Sequence, residues 1–189
     1  MANPLPINER LSTAGQLVVR TRIFYDVWWL YDGADTRPTI IDAMRGYAEF
    51  FRFDPHAHFV SFIVHAAALF ESREDTINLP LLVQEVGACD GVPSRTISEC
   101  EALLSELRPY VPKIIILRSN LFAHRSASLS YEQAFDLAKI TPIQLGATCD
   151  IALRIINRLL SAKGLQEQYF HTLPRKHLEE MLRALETAI

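Results

Sequence analysis

The chain has 189 residues, of which 49% are apolar and 22% charged, with a formal net charge of −3. That length is enough to bury a sizeable core, and the composition lies far from that of disordered chains. The slightly negative balance argues against indiscriminate coating of duplex DNA or anionic membrane, and leaves room for a local basic site that holds phosphate.

Three cysteines, Cys89, Cys100 and Cys149, have neither CxxC nor metal-ligand spacing. This is the pattern of reduced, buried thiols, and a cytoplasmic location is the expectation. The opening MANPLPINER has no basic segment followed by an apolar run. The longest apolar stretch, Ala57 to Phe70, contains His58, Ser61 and His65 and is too short to cross about 30 Å of hydrocarbon. No membrane association is expected.

Helical periodicity predicts a long first helix over Ile7 to Tyr31, with Leu11, Ala14, Leu17, Val18, Ile23, Tyr25, Trp28 and Trp29 supplying enough i+3/i+4 steps for a buried face and Asp32-Gly33 as its stop. Trp28 and Trp29 cannot share one face, so one of them marks either a wide inter-helix groove or a dimer surface. Arg37-Pro38-Thr39 opens a second helix from Thr39 to about Phe51. Asp54, read as an N-cap, opens a third over Pro55 to Ser72. Phe50, Phe51, Phe53, Phe59, Phe62 and Phe70 are read as core. The charged segment ESREDTINLP reads as a solvated loop, followed by a short helix, Leu81 to Val86. Ser94 caps a helix to about Leu107. After the central stretch, Ser130 begins a short helix to about Lys139 with a capping-box pattern. Thr141-Pro142 opens a long helix to Ala162, and a last helix covers Pro174 to Thr187. There is no strand alternation longer than four residues, no internal repeat and no linker that would split the domain. The expected architecture is all-α, one domain over residues 1–189: an antiparallel helical bundle with additional short helices.

The central stretch, Pro109 to Arg125, reads PYVPKIIILRSNLFAHR. As one continuous helix it would be apolar nearly all round, which belongs to a central position, yet it carries Arg118, Asn120, His124 and Arg125. Polar groups in such a helix need partners or a task. Asn120 and His124, four apart, would meet on one face, whereas Arg118 and His124 would stand about 120° apart. They would converge only at a helix edge or across a two-fold axis between two copies. A histidine near a helix C-terminus exchanges protons near neutral pH, and an arginine stabilises charge developing on a phosphate. With a positioning amide, these are the parts an RNA-cleaving enzyme needs when the RNA's own 2′-hydroxyl is the nucleophile, and no metal is required. The plainer reading makes Arg118 an internal ion-pair partner and His124 a cap on helix carbonyls.

The phrase Leu117-Arg118-Ser119-Asn120-Leu121-Phe122-Ala123-His124-Arg125 resembles the signature helix of HEPN domains (higher eukaryotes and prokaryotes nucleotide-binding): an arginine, four to six residues of spacer, then a histidine. Its A-H-R ending looks most like the abortive-infection "U" subfamily, where L-R-D-K-x-x-A-H-R/D is usual. The acidic lead-in ESREDTINLPLLV and the helices from Tyr131 to Leu160 also look like that subfamily, so the resemblance spans about residues 50 to 165. It implies a HEPN-like bundle acting on RNA or nucleotide as a homodimer, as a metal-independent endoribonuclease in prokaryotic defence or as a toxin, with an antitoxin protein as a further partner. The catalytic residues would be Arg118 and His124, with Asn120 as the polar residue inside the motif. Ser119 stands in the slot directly after the arginine where many active members carry their polar residue, which leaves a catalytically silent dimer binding nucleotide, RNA or a protein as the alternative. Arg125, Lys113 and Ser119 are candidate backbone contacts. No cofactor and no metal are expected: His56 and His58 point to opposite sides of a helix, and His65 has no ligand partner at matching spacing. In the HEPN reading the run Glu71, Arg73, Glu74, Asp75 borders the cleft.

Overall fold

The computed structural model describes residues 5–71, 73–123 and 131–187. Among them the regular structure is helical. The elements are α1 (Ile7–Asp32), α2 (Ile41–Gly46), α3 (Ala48–Phe51), α4 (Asp54–Phe70), α5 (Leu79–Gly87), α6 (Ser94–Leu107), α7 (Val111–Leu117), α8 (Tyr131–Ala138), α9 (Pro142–Ala162) and α10 (Leu173–Glu186). A 3-10 turn, Arg37–Thr39, precedes α2, and a π-type turn, Arg118–Ala123, follows α7.

α1 is the axis of the bundle, with α4 and α9 packed along it. Their contacts form two ladders. Toward α4, Tyr31 meets Asp54, Trp28 meets Phe59, Tyr25 meets Phe62 and Phe24 meets His65, in descending and ascending order. Toward α9, the Tyr25 hydroxyl donates to the Pro142 carbonyl and Arg22 pairs with Asp150 at 2.6 Å. Both pairs are therefore antiparallel. α6 is antiparallel to α9 in turn: Arg158 pairs with Glu99, and the Cys100 thiol faces the Ile155 carbonyl. Gly146 lets α1 and α9 approach this closely, because a Cβ there would fall 2.7 Å from the Tyr25 hydroxyl.

The main core gathers Leu11, Ala14, Val18, Phe62, Ile63, Leu79, Leu107, Ile114, Leu117 and Ile155, all essentially inaccessible. A second cluster joins the C-terminal half of α1 to α2, α3 and α10: Val27, Leu30 and Tyr31 pack with Ile40, Ala43, Met44, Phe51 and Leu182. Trp28 is buried and Trp29 half-buried against the main core, in keeping with a wide groove between helices.

Five local expectations are corrected. The second helix is broken at Tyr47 (φ −126°, ψ 45°) into α2 and α3; Gly46, a poor helix residue, is the weak point, and the bend carries Phe51 into the second cluster. Phe50 and Phe53 are thereby left outside, 57% and 66% exposed. Asp54 is not a cap but the first residue of α4, and its carboxylate instead accepts the Tyr31 hydroxyl at 2.7 Å. Ser94 is likewise inside α6, whose cap position is Pro93, with no side-chain cap bond. Thr141, by contrast, forms a complete capping box with Gln144. Ser130 lies outside the described residues.

The fifth correction concerns the central stretch. Regular α-helix stops at Leu117 and a wider π turn takes over from Arg118 to Ala123. The Asn120 side-chain amide donates to the Ile116 carbonyl at 2.9 Å. That is the acceptor a regular helix would assign to the Asn120 backbone N–H, and short polar side chains that compete for backbone groups unsettle helices in this way. Such single wide turns gather at functional sites.

Candidate functional site

α7 enters the core on Ile114 and Leu117, both fully buried, and leaves Ile115 on the surface. The chain then changes geometry at Arg118, where the signature phrase begins. Arg118, Ser119 and Asn120 are all half-buried. The Arg118 guanidinium donates from Nη1 to Glu71 Oε1 at 2.6 Å, a short charge-assisted contact. The two side chains are 34% and 17% exposed, so the pair sits at the edge of the bundle rather than inside it.

Glu71 reaches Arg118 because it is the C-cap residue of α4. Its backbone N–H closes on the Ala67 carbonyl, and its extended conformation turns the chain out of the helix. A helix C-terminus carries partial negative charge, so the carboxylate and the α4 terminus both favour a cation at this point.

The acidic loop beyond is tightly stitched. Arg73 grips Asp75 in two-point fashion at 2.9 and 2.7 Å, and its hydrogen bond holds the Asp75 carboxyl below the usual carboxylate range. Asn78, only 1% exposed, donates to the carbonyls of Arg73 and Thr76 and accepts from the Leu81 N–H, capping α5. Periodicity did not single out Asn78. The signal was there in Asn78-Leu79-Pro80, an amide side chain followed by proline in the first turn of a helix. A largely apolar groove of about 390 Å³ runs beside this region, lined by Phe70, Pro80, Leu104, Leu107, Val111 and Pro112, with Arg108 as its one charged residue.

The other predicted residues are distributed as follows. Lys113 sits on α7, and its ammonium donates to the Lys139 carbonyl at 2.7 Å. Lys139 has φ 48°, a left-handed conformation that ends α8, so Lys113 ties down that terminus. His124 and Arg125 lie outside the described residues, as does any geometry relating them to Arg118. The structure thus brings Arg118 to Glu71, keeps Ser119 and Asn120 in the same turn, and engages Lys113 elsewhere. Among the described residues no group of three or more His, Cys, Asp or Glu side chains is arranged to hold a metal ion. His65 faces the Ser61 carbonyl and His58 stands beside Asp54. No described helix is long and apolar enough to cross a membrane.

The chain thus presents a helical bundle, the Glu71 carboxylate on the Arg118 cation and the phrase L-R-S-N-L-F-A-H-R. The model of the HEPN family described as AbiU2 matches residues 7–183. The chain belongs to the HEPN AbiU2 family. The match runs from α1 into α10, beyond the segment from 50 to 165 where the resemblance is legible by eye, so the framework helices are part of the family pattern as well as the motif. No curated protein and no solved structure matches the chain. AbiU2 membership accounts for the all-α bundle and puts the protein in the abortive-infection "U" type of the HEPN superfamily.

Proposed function

We propose that this AbiU2 protein is a metal-independent endoribonuclease of prokaryotic defence, or a toxin held in check by an antitoxin, and that it acts as a homodimer. The observation that carries the reading is Arg118: the signature cation stands half-exposed at the entry of a π turn, not sealed in the core. His124 takes the proton of the RNA 2′-hydroxyl, whose oxygen attacks the adjacent phosphorus. Arg118 neutralises the charge gathering on the phosphorane. The 5′-oxygen leaves with a proton returned by histidine, giving a 2′,3′-cyclic phosphate and a 5′-hydroxyl. Asn120 positions the phosphate, and Ser119 and Arg125 add backbone contacts; Lys113, held on the Lys139 carbonyl, takes no part. Two copies supply the convergence that one helix does not.

The second reading, a silent dimer that binds RNA, nucleotide or a protein, draws support from the pairing of Arg118 with Glu71 and from Ser119 in the slot after the arginine. Purified protein is to be incubated with structured and single-stranded RNAs in EDTA beside His124→Ala and Arg118→Ala. Cleavage by the wild type alone supports the enzyme. Equal cleavage by all three, or by none, sinks it, and tight RNA binding without turnover favours the silent dimer. A monomer by light scattering at assay concentration would count against the two-copy site.

A further inference from the structure

We propose that Glu71 is the positioning residue of the Arg118 cation: its carboxylate fixes one edge of the guanidinium so that the opposite edge meets an RNA phosphate. This rests on the ribonuclease reading for its substrate, and on the geometry of the chain for the rest.

A guanidinium offers five N–H donors in a rigid plane. A contact at Nη1 therefore restricts where the others can point, and Glu71 makes that single contact at 2.6 Å. A long arginine chain on a turn of irregular geometry would otherwise sample many rotamers, and ordering it on the phosphorane in the transition state costs free energy. Glu71 is itself held. It stands at the C-cap of α4, which packs along α1, and its backbone N–H is bonded to the Ala67 carbonyl. The carboxylate is less exposed than its partner, 17% against 34%, as expected of a fixed support beneath a group that meets solvent.

The alternative role for a carboxylate here is competition, in which Glu71 occupies Arg118 and must be displaced by phosphate. The two roles predict opposite signs. Wild type, Glu71→Gln, Glu71→Ala and Arg118→Lys are compared in three readouts: single-turnover cleavage of an RNA, Kd for the same RNA fully 2′-O-methylated, and NMR of the arginine side-chain N–H groups, with Arg118→Lys identifying the Arg118 signal. Glu71→Ala is expected to slow cleavage about 100-fold, the order of effect of misplacing a catalytic group. Its Kd should stay within about threefold, because the loss falls on the transition state rather than on ground-state binding. The Arg118 signal should lose its ordered position, and Glu71→Gln, which keeps an acceptor oxygen, should recover most of the rate. An unchanged Arg118 signal in Glu71→Ala, or RNA bound several-fold tighter with no loss of rate, would overturn the positioning role. If the wild type cleaves nothing, the ribonuclease reading falls alone, and the NMR and binding readouts still decide what Glu71 does. Should Glu71→Ala fail to fold, Glu71→Asp, which draws the carboxylate back by one methylene, carries the same three readouts.

Discussion

α9 and α7 begin alike and end differently. Each has proline in its first turn and each presses an apolar face into the main core. α9 then runs unbroken for 21 residues, while α7 yields after 7 to the π turn that carries Arg118, Ser119 and Asn120. Along α9 the local rules agree with one another: a complete capping box, a continuous buried face of Leu145, Cys149, Ala152, Ile155, Ile156 and Leu159, and arginines on the outer side paired with Glu99 and Glu106. Along the central stretch they conflict. The apolar residues ask for a regular buried helix, while Arg118 and Asn120 ask for polar partners. Departures of this kind are expected where function outweighs regularity. The framework helix carries stability, and the interrupted one carries the candidate chemistry.

Substitutions can break that division of labour. Ile155→Ala, in a site with no exposure, should cost about 2–5 kcal/mol of stability, read by chemical denaturation, with the cleavage rate per folded molecule unchanged. Arg118→Ala should do the reverse, lowering the rate about 10²- to 10³-fold with little change in denaturation midpoint. A large stability loss from Arg118→Ala would recast the pair with Glu71 as a structural brace. Gly146→Ala should cost about 1–3 kcal/mol through overpacking against the Tyr25 ring. Tyr25→Phe in that background should relieve only part of it, since the ring carbon as well as the hydroxyl is in the way. Thr141→Ala removes the side-chain half of the capping box and should cost about 1 kcal/mol.

The smallest effect is expected from pH. Burial pushes the Cys149 thiol up to about 12 and the Cys100 thiol up to about 11, from the ordinary value of 9.0. Above the ordinary value the unfolded chain releases these protons while the folded chain keeps them, so stability is whole below about pH 9 and declines between the unfolded and folded values. The melting temperature should therefore fall as pH rises from 9 toward 11, and less steeply in Cys149→Ala. At pH 8 a thiol reagent should modify the half-buried Cys89 first. Rapid modification of all three thiols in native protein would contradict the packing of α9 against α1 and α6.

Much of the framework was legible without coordinates, because long helices announce themselves through local rules. Ile7 to Tyr31 and Pro142 to Ala162 have the 3.6-residue spacing, a stop or a cap, and enough length for the pattern to repeat. The phrase from Leu117 to Arg125 and its acidic lead-in were likewise readable as HEPN, and the family match agrees. Less visible were features that depend on who the neighbour is. Asp54 and Ser94 look like caps, but Asp54 meets the Tyr31 hydroxyl and Ser94 falls one residue inside its helix. Phe50 and Phe53 look like core residues, yet the bend at Tyr47 leaves them in solvent.

By itself, then, the sequence determined the all-α class, the order of the long helices and the family to which the motif belongs, since each is encoded in residues close together along the chain. Tertiary structure decided that Lys113 secures the end of α8, and that Glu71, 47 residues away in the chain, is the partner of the signature arginine. Ion-pair partners are chosen by packing across the bundle, and no local periodicity records which carboxylate will lie beside which cation.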